Sequence, residues 1–267
     1  MKKKIAGVTL AYAEAGEGFP VVLLHAFPLN KAMWEFQRRE LSRDYCIITP
    51  DFRGHGESEV AAEDSTMEAL AEDLHGLLAG LGIERFVLGG LSLGGYVSFA
   101  FYRKHSAQVA ALILADTRAQ ADTPEGRQER AKLIATAEEK GASAVAEQLL
   151  PKLLGATTRT SRPEVVAYVR ELIHSTSVPG IVKALRGMAA RPDSRPLLPQ
   201  ITCPVLILVG EEDTLTPPAD SEAMAGAIPG AQLEIISQAG HLSNLEQPVA
   251  FTNHVRSFLA HVLGGQV

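Results

Sequence analysis

Arg85-Phe86-Val87-Leu88-Gly89-Gly90-Leu91-Ser92-Leu93-Gly94-Gly95 is the stretch on which the reading of this chain turns. An apolar run of strand length passes into Gly90-Leu91-Ser92-Leu93-Gly94, and a helix-like segment, residues 94–105, begins at once. A serine on so sharp a strand-to-helix turn is forced into a strained backbone conformation with its hydroxyl projecting from the sheet edge. Small residues two positions away on each side let the chain segments pass closely. The helix that follows aims its first free N–H groups, Leu93's foremost, at any oxyanion formed beside the serine.

Apolar runs of the same kind recur at residues 21–24, 45–49, 85–89, 109–115, 204–209 and 233–236. Their hydrophobicity is continuous rather than alternating, which predicts strands buried on both faces of a parallel sheet. Helix-like segments at 31–41, 67–81, 94–105, 219–227 and 248–263 lie between them, so the expected core is a doubly wound α/β sheet with right-handed crossovers. Ahead of it, Ile5, Val8, Leu10 and Tyr12 read as one more strand, joined to 21–24 by a turn rich in Gly16 and Gly18.

From 117 to 200 no strand pattern appears, only several short helices punctuated by Pro124, Pro151, Pro163 and Pro179-Gly180. A helical insertion between two buried strands cannot join the sheet. The expected division is an α/β core of residues 1–116 and 201–267 with a helical cap of residues 117–200 over the carboxyl ends of the strands, where such sheets bind ligands.

Composition narrows the classes of partner. The chain has 267 residues, 46% hydrophobic and 21% charged, with 25 Lys+Arg against 31 Asp+Glu for a net charge of −6. That excludes collagen-like, disordered and disulfide-dense chains, and it lacks the clustered basic residues that neutralise nucleic-acid phosphates. Cys46 and Cys203 read as buried free thiols. Lys2-Lys3-Lys4 and the apolar residues after it imitate a secretory signal only weakly. The longest uncharged run, residues 86–102, falls short of the ~20 residues of a membrane span, so the expectation is a cytoplasmic protein with no membrane partner. No clustered metal-ligand spacing is present, and the Gly-rich turn lacks both a following Lys and Gly-x-Gly-x-x-Gly spacing, so no metal, nucleotide or flavin is expected.

A serine hydroxyl needs a base to become a nucleophile near neutral pH, and the base needs an acid to orient it. His241, in Gly240-His241-Leu242-Ser243-Asn244-Leu245-Glu246-Gln247-Pro248, follows the run 233–236. Asp213, in Gly210-Glu211-Glu212-Asp213-Thr214-Leu215-Thr216-Pro217, follows 204–209. Both therefore fall at carboxyl ends of strands, on the same sheet edge as Ser92.

The order Ser92, Asp213, His241, each on a post-strand loop, resembles the α/β-hydrolase-fold serine hydrolases over nearly the whole chain. Two further pieces match, His25-Ala26-Phe27-Pro28 and Asp51-Phe52-Arg53-Gly54-His55-Gly56-Glu57-Ser58. The resemblance implies a mostly parallel sheet flanked by helices, with the cap inserted after the sixth strand. It implies backbone N–H donors to an oxyanion from Phe27 and Leu93. It makes His25 and His55 loop-stapling residues, gives Asp51, Arg53 and Glu246 loop-fixing contacts, and marks Asp116 as a position some relatives use for the acid. Ala26 departs from the glycine usual in the first piece. Met33, Trp34, Leu215 and Leu242 are expected to line an apolar pocket.

What the resemblance implies for activity is a cofactor-free serine hydrolase that cleaves small to medium esters or lactones through an acyl-enzyme, similar to carboxylesterases and 3-oxoadipate enol-lactonases. His25-Ala26-Phe27-Pro28-Leu29-Asn30 with Trp34 is also similar to cofactor-free haloperoxidases, where peroxide replaces water at the same triad. A ligand receptor using the capped pocket is the reading from another class.

Overall fold

Among residues 1–5 and 7–264, which the computed structural model describes, eight strands form one sheet. They are β1 (Lys2–Ile5), β2 (Val8–Ala15), β3 (Pro20–Leu24), β4 (Cys46–Pro50), β5 (Phe86–Leu91), β6 (Val109–Ala115), β7 (Val205–Gly210) and β8 (Gln232–Ile236). The order across the sheet is β1-β2-β4-β3-β5-β6-β7-β8; β1 and β2 pair antiparallel and β3 to β8 pair parallel. The central strands β5 and β7 are buried along their whole length, as continuous apolar runs require.

The N-terminal segment differs from expectation. In place of one strand before the Gly-rich turn, the chain makes a hairpin, with Gly7 supplying a positive φ at its turn. Lys2, Lys3 and Lys4 lie in the edge strand β1, where charge blocks further strand pairing. Both cysteines are free, and they are half-buried rather than buried.

The helices follow from apolar spacing and caps. Helix α1 (Glu35–Leu41) comes after a 3-10 turn, Lys31–Trp34. Helix α2 (Met67–Leu81) buries Met67, Leu70, Ala71, Leu74, Leu77 and Leu78, the stripe expected of a surface helix. The Thr66 side chain accepts from Ala69 N at its start, and Gly82 ends it at φ 75°. Helix α3 (Leu93–His105) packs on α2 and against β3, β5 and β6.

Between β6 and β7 lie α4 (Pro124–Leu153), α5 (Ala156–Ser161), α6 (Pro163–His174) and α7 (Val178–Ala190). The first span, thirty residues, is two helical stretches that meet at a kink, where Gly141 takes the non-helical φ 77° and ψ −177°. Pro151 does not end it, and its last turn runs on to Leu153. Helix α6 buries Val165, Val169, Leu172 and Ile173, and both α6 and α7 pack on α4. The chain ends in α8 (Pro218–Ala227), α9 (Ser243–Glu246) and α10 (Pro248–Leu263), which packs on α1.

Strand order reverses between β3 and β5, the place where α/β sheets open a ligand crevice. Leu24 at the end of β3 pairs with Gly90 of β5, so the loops leaving these two strands start side by side. Their close approach has no room for side chains: a Cβ on Gly90 would lie 2.2 Å from Gly94 C, and one on Gly94 would lie 2.4 Å from Leu24 O. Backbone cannot yield as a flexible side chain can, so Gly90→Ala is expected to lower stability by about 1–3 kcal/mol or more in urea titration. Gly226→Ala, in α8 with open space around its Cβ, is expected to raise it by about 0.4–1 kcal/mol. Equal effects from the two would contradict the packing argument.

Candidate active site

Ser92 leaves β5 at φ 55° and ψ −109°, outside the regions side chains prefer. It is held there from several sides. Its N–H donates to Ala115 O at 2.9 Å, and its carbonyl accepts from Thr117 Oγ1 at 2.9 Å, Gly95 N at 2.9 Å and Tyr96 N at 3.2 Å. The N–H groups of Leu93 and Phe27 donate to no acceptor among the described residues, and Phe27 lines the same cavity as Ser92. Ala26 does not take a positive φ; among described non-glycine residues only Ser92, Asp116 and Gln238 do. The loop therefore needs no glycine at 26.

Ser92 Oγ lies 2.8 Å from His241 Nε2, and His241 Nδ1 lies 2.8 Å from Asp213 Oδ2. Asp213 also accepts from Leu215 N at 2.8 Å, Thr216 N at 3.0 Å and Thr216 Oγ1 at 2.7 Å. An ionised carboxylate can only accept, so Nδ1 carries the proton and Nε2 is free to accept from the serine. Burial alone would raise Asp213, but the charge and hydrogen bond of His241, with Thr216, hold its carboxyl below the usual range. Burial would likewise depress His241, yet Asp213 outweighs it and raises the imidazole above its ordinary 6.5.

Asp116, at the end of β6, makes no hydrogen bond to His241. It accepts from Gly210 N at 2.8 Å and from the Ser243 hydroxyl, and burial, reinforced by the charge of Asp213, pushes its carboxyl well above the usual range. Environment thus separates the two aspartates: one is ionised against the imidazole, the other anchors the loops after β7 and β8.

The remaining motif residues fasten loops. His25 Nδ1 donates to Ala26 O at 2.9 Å and Nε2 accepts from Phe52 N at 3.0 Å, joining the loops after β3 and β4. Burial pushes His25 down to about 4 and His55 to about 3, so both stay neutral. Asp51 accepts from Lys31 Nζ at 2.6 Å and Lys31 N at 2.7 Å, and Arg53 pairs with both oxygens of Asp73. Glu246 accepts from Gly240 N at 2.9 Å and Leu242 N at 3.2 Å on either side of His241, and from Gly155 N at 2.8 Å between α4 and α5.

Ser92 and His241 open into a cavity of about 450 Å³ between the sheet edge and helices α4 and α7. Of the four expected pocket residues Leu215 lines it, and Met33, Trp34 and Leu242 do not; Phe27 lines it as well. Met33 and Trp34 point inward from the turn before α1: Met33 Sδ lies 3.1 Å from Ala26 N, and Trp34 packs on Phe251 at 5.9 Å between ring centroids. Leu242 is fully buried behind His241. Their places are taken by Tyr96 on α3 and by cap residues such as Leu133, Leu153 and Met188. The only signal for those was the apolar spacing of the cap helices, which does not say which residues meet the sheet. No helix of the described residues is long and apolar enough to cross a membrane, and among those residues no three His, Cys, Asp or Glu side chains are grouped to hold a metal ion.

A family model described as the alpha/beta hydrolase fold matches residues 20–248. A thermophilic esterase from Thermogutta terrifontis, solved with malate bound, is 44% identical, covers 98% of this chain and 99% of its own, and superimposes with a TM-score of 0.95. The enol-lactonase from Burkholderia xenovorans LB400 is 31% identical over 97% of this chain and 100% of its own, with a TM-score of 0.91. 3-Oxoadipate enol-lactonase 2 of Acinetobacter baylyi is 28% identical over 254 residues, 94% of this chain and 93% of that protein.

Only neutral Nε2 can take a proton from Ser92, so the reactivity of the serine should rise with pH through the pKa of His241. Since that pKa is raised, the rate of inactivation by a fluorophosphonate is expected to climb with a midpoint above 6.5. A rate that is flat from pH 5 to 8 would contradict the assignment.

Proposed function

This chain belongs to the α/β-hydrolase fold family, and from that premise we propose that it is a serine hydrolase that cleaves small to medium carboxylic esters or lactones through an acyl-enzyme. One observation carries the reading: an unbroken hydrogen-bonded chain, Asp213 to His241 to Ser92, ends in a cavity beside two unspent N–H groups. Esterase and enol-lactonase relatives of nearly full length support it.

In the acylation step Ser92 Oγ bonds to the substrate carbonyl carbon while its proton passes to His241 Nε2. The carbonyl electrons move onto oxygen, and the N–H groups of Phe27 and Leu93 stabilise that oxyanion. Collapse breaks the bond to the alkoxy oxygen, which leaves with the proton from His241; in a lactone it stays tethered. Water then gives a proton to His241, attacks the acyl carbon and releases the acid, and the proton returns to Ser92. Asp213 holds the tautomer and stabilises the imidazolium that forms in each half.

The cap, residues 117–200, completes the cavity over a core of residues 1–116 and 201–267. Glu246 and Glu212 tie the α5 end of that segment to the loops carrying His241 and Asp213: Gly155 N donates to Glu246, and Thr157 N donates to Glu212 at 2.9 Å. The mouth between cap and core therefore has a fixed side next to the triad.

Removing the nucleophile should lower kcat far more than binding. Ser92→Ala is expected to reduce kcat on p-nitrophenyl butyrate by roughly 10⁴–10⁶-fold, and a loss under tenfold would remove Ser92 from the role. Asp213→Asn should cost roughly 10⁴-fold through the wrong tautomer, and Asp116→Asn far less. The reverse ranking would exchange the roles of the two aspartates.

A further inference from the structure

The loop after β3, residues 26–30, carries the Phe27 N–H, and its two sides are fastened by different parts of the molecule. On the core side both polar groups of Ala26 are held. Its N–H donates to Met33 Sδ at 3.1 Å, and its carbonyl accepts from His25 Nδ1 at 2.9 Å and from Leu29 N at 2.9 Å. The last bond closes Ala26-Phe27-Pro28-Leu29 into a tight turn. On the far side the holding group comes from the cap: the Pro28 carbonyl accepts from Thr176 Oγ1 at 2.7 Å, and from no other donor among the described residues.

Thr176 is buried in the short connection between α6 and α7, residues 175–177, and that connection is itself firm. Thr176 N donates to Ile173 O at 3.1 Å. Ser175 Oγ donates to Leu172 O at 2.7 Å and accepts from Asn30 Nδ2 at 2.9 Å, a second bond to the loop after β3. A few residues on, Gly180 lies against the backbone of Gly54 with no room for a Cβ between them. Bonded within the cap and pressed on the core, the connection cannot drift from the turn without giving up buried hydrogen bonds and contacts.

Phe27 lies between these two fixed points, with its own N–H uncommitted among the described residues and its side chain on the cavity that Ser92 lines. A donor to an oxyanion works only when aimed in advance, and a misplacement of about 1 Å can cost about 10²-fold in rate. Anchored at Ala26 alone, the turn could tilt about that end and swing the donor away. We propose that Thr176 is a positioning residue for the reaction: through the Pro28 carbonyl, the cap holds the peptide that presents Phe27 N–H to the oxyanion. This rests on the ester-hydrolase reading above. Acylation and deacylation each pass through an oxyanion, so the cap contributes to both steps as well as enclosing the cavity.

The test measures steady-state kinetics on p-nitrophenyl butyrate and inhibition by 1,1,1-trifluorohexan-2-one, which adds to a serine as a hemiketal oxyanion. Thr176→Val keeps the shape and deletes the hydroxyl; it is expected to lower kcat by about tenfold or more with KM within about twofold. The Ki of the ketone should rise in step with KM/kcat, because both report the oxyanion. Thr176→Ser keeps the donor and should stay within about threefold of the wild type. Tyr168→Phe is the control: it removes another bond from cap to core, Tyr168 Oη to Ala32 O at 2.9 Å, that does not reach the turn, and it should leave kcat unchanged. Thermal unfolding checks each variant, and if Thr176→Val does not fold, Thr176→Ala is read in its place. Unchanged kcat without the hydroxyl, a loss confined to KM, an unchanged ketone Ki, or an equal loss in Thr176→Ser or Tyr168→Phe would overturn the proposal alone. Wild-type hydrolysis no faster than that of Ser92→Ala would overturn the ester-hydrolase reading and the proposal with it.

Discussion

The contact between Gly94 and the end of β3 is the constraint on which the rest of the site depends. With 2.4 Å between a Cβ at position 94 and Leu24 O, and 2.2 Å between one at 90 and Gly94 C, only hydrogen lets β5 turn into α3 there. That turn puts Ser92 in its strained conformation, and the pairing of Leu24 with Gly90 puts Phe27 next to it. Ser92, the start of α3 and the loop after β3 come together at the cavity because these backbone segments can pass within contact. Parallel strands β7 and β8 then deliver Asp213 and His241 to the same edge.

Burying so many polar groups is costly unless each is satisfied, and here the partners also set protonation. Three carboxylates, Asp213, Asp116 and Glu246, surround one imidazole. Asp213 faces the imidazole directly and stays ionised; Asp116 faces a serine hydroxyl and a backbone N–H, and its burial favours the neutral acid. Glu246 is raised by burial too, yet by accepting from the N–H groups of Gly155, Gly240 and Leu242 it joins the α4–α5 junction to the histidine loop. Charge on the far side of the cavity follows a different rule: Asp122 accepts from Arg130 and Arg191, with Arg118 a longer 3.8 Å away.

Much of this was legible in the sequence because it depends on local backbone chemistry. Continuous apolar runs located the parallel strands within a residue or two, and Gly90 and Gly94 around Ser92 announced the turn. What was not legible depends on direction and long-range contact. Trp34 and Met33 follow the loop after β3 and look like pocket residues, but the 3-10 turn at 31–34 directs them into the core. Pro151 reads as a helix end, although the helical turn around it runs on to Leu153.

The account stands or falls on Ser92 as the atom that becomes acylated. Stoichiometric inactivation with a fluorophosphonate, followed by peptide mapping by mass spectrometry, tests this most directly. One phosphonyl group per chain on Ser92, appearing in step with loss of ester hydrolysis, is the predicted result. Complete inactivation with Ser92 unmodified, or full activity with Ser92 labelled, would contradict it.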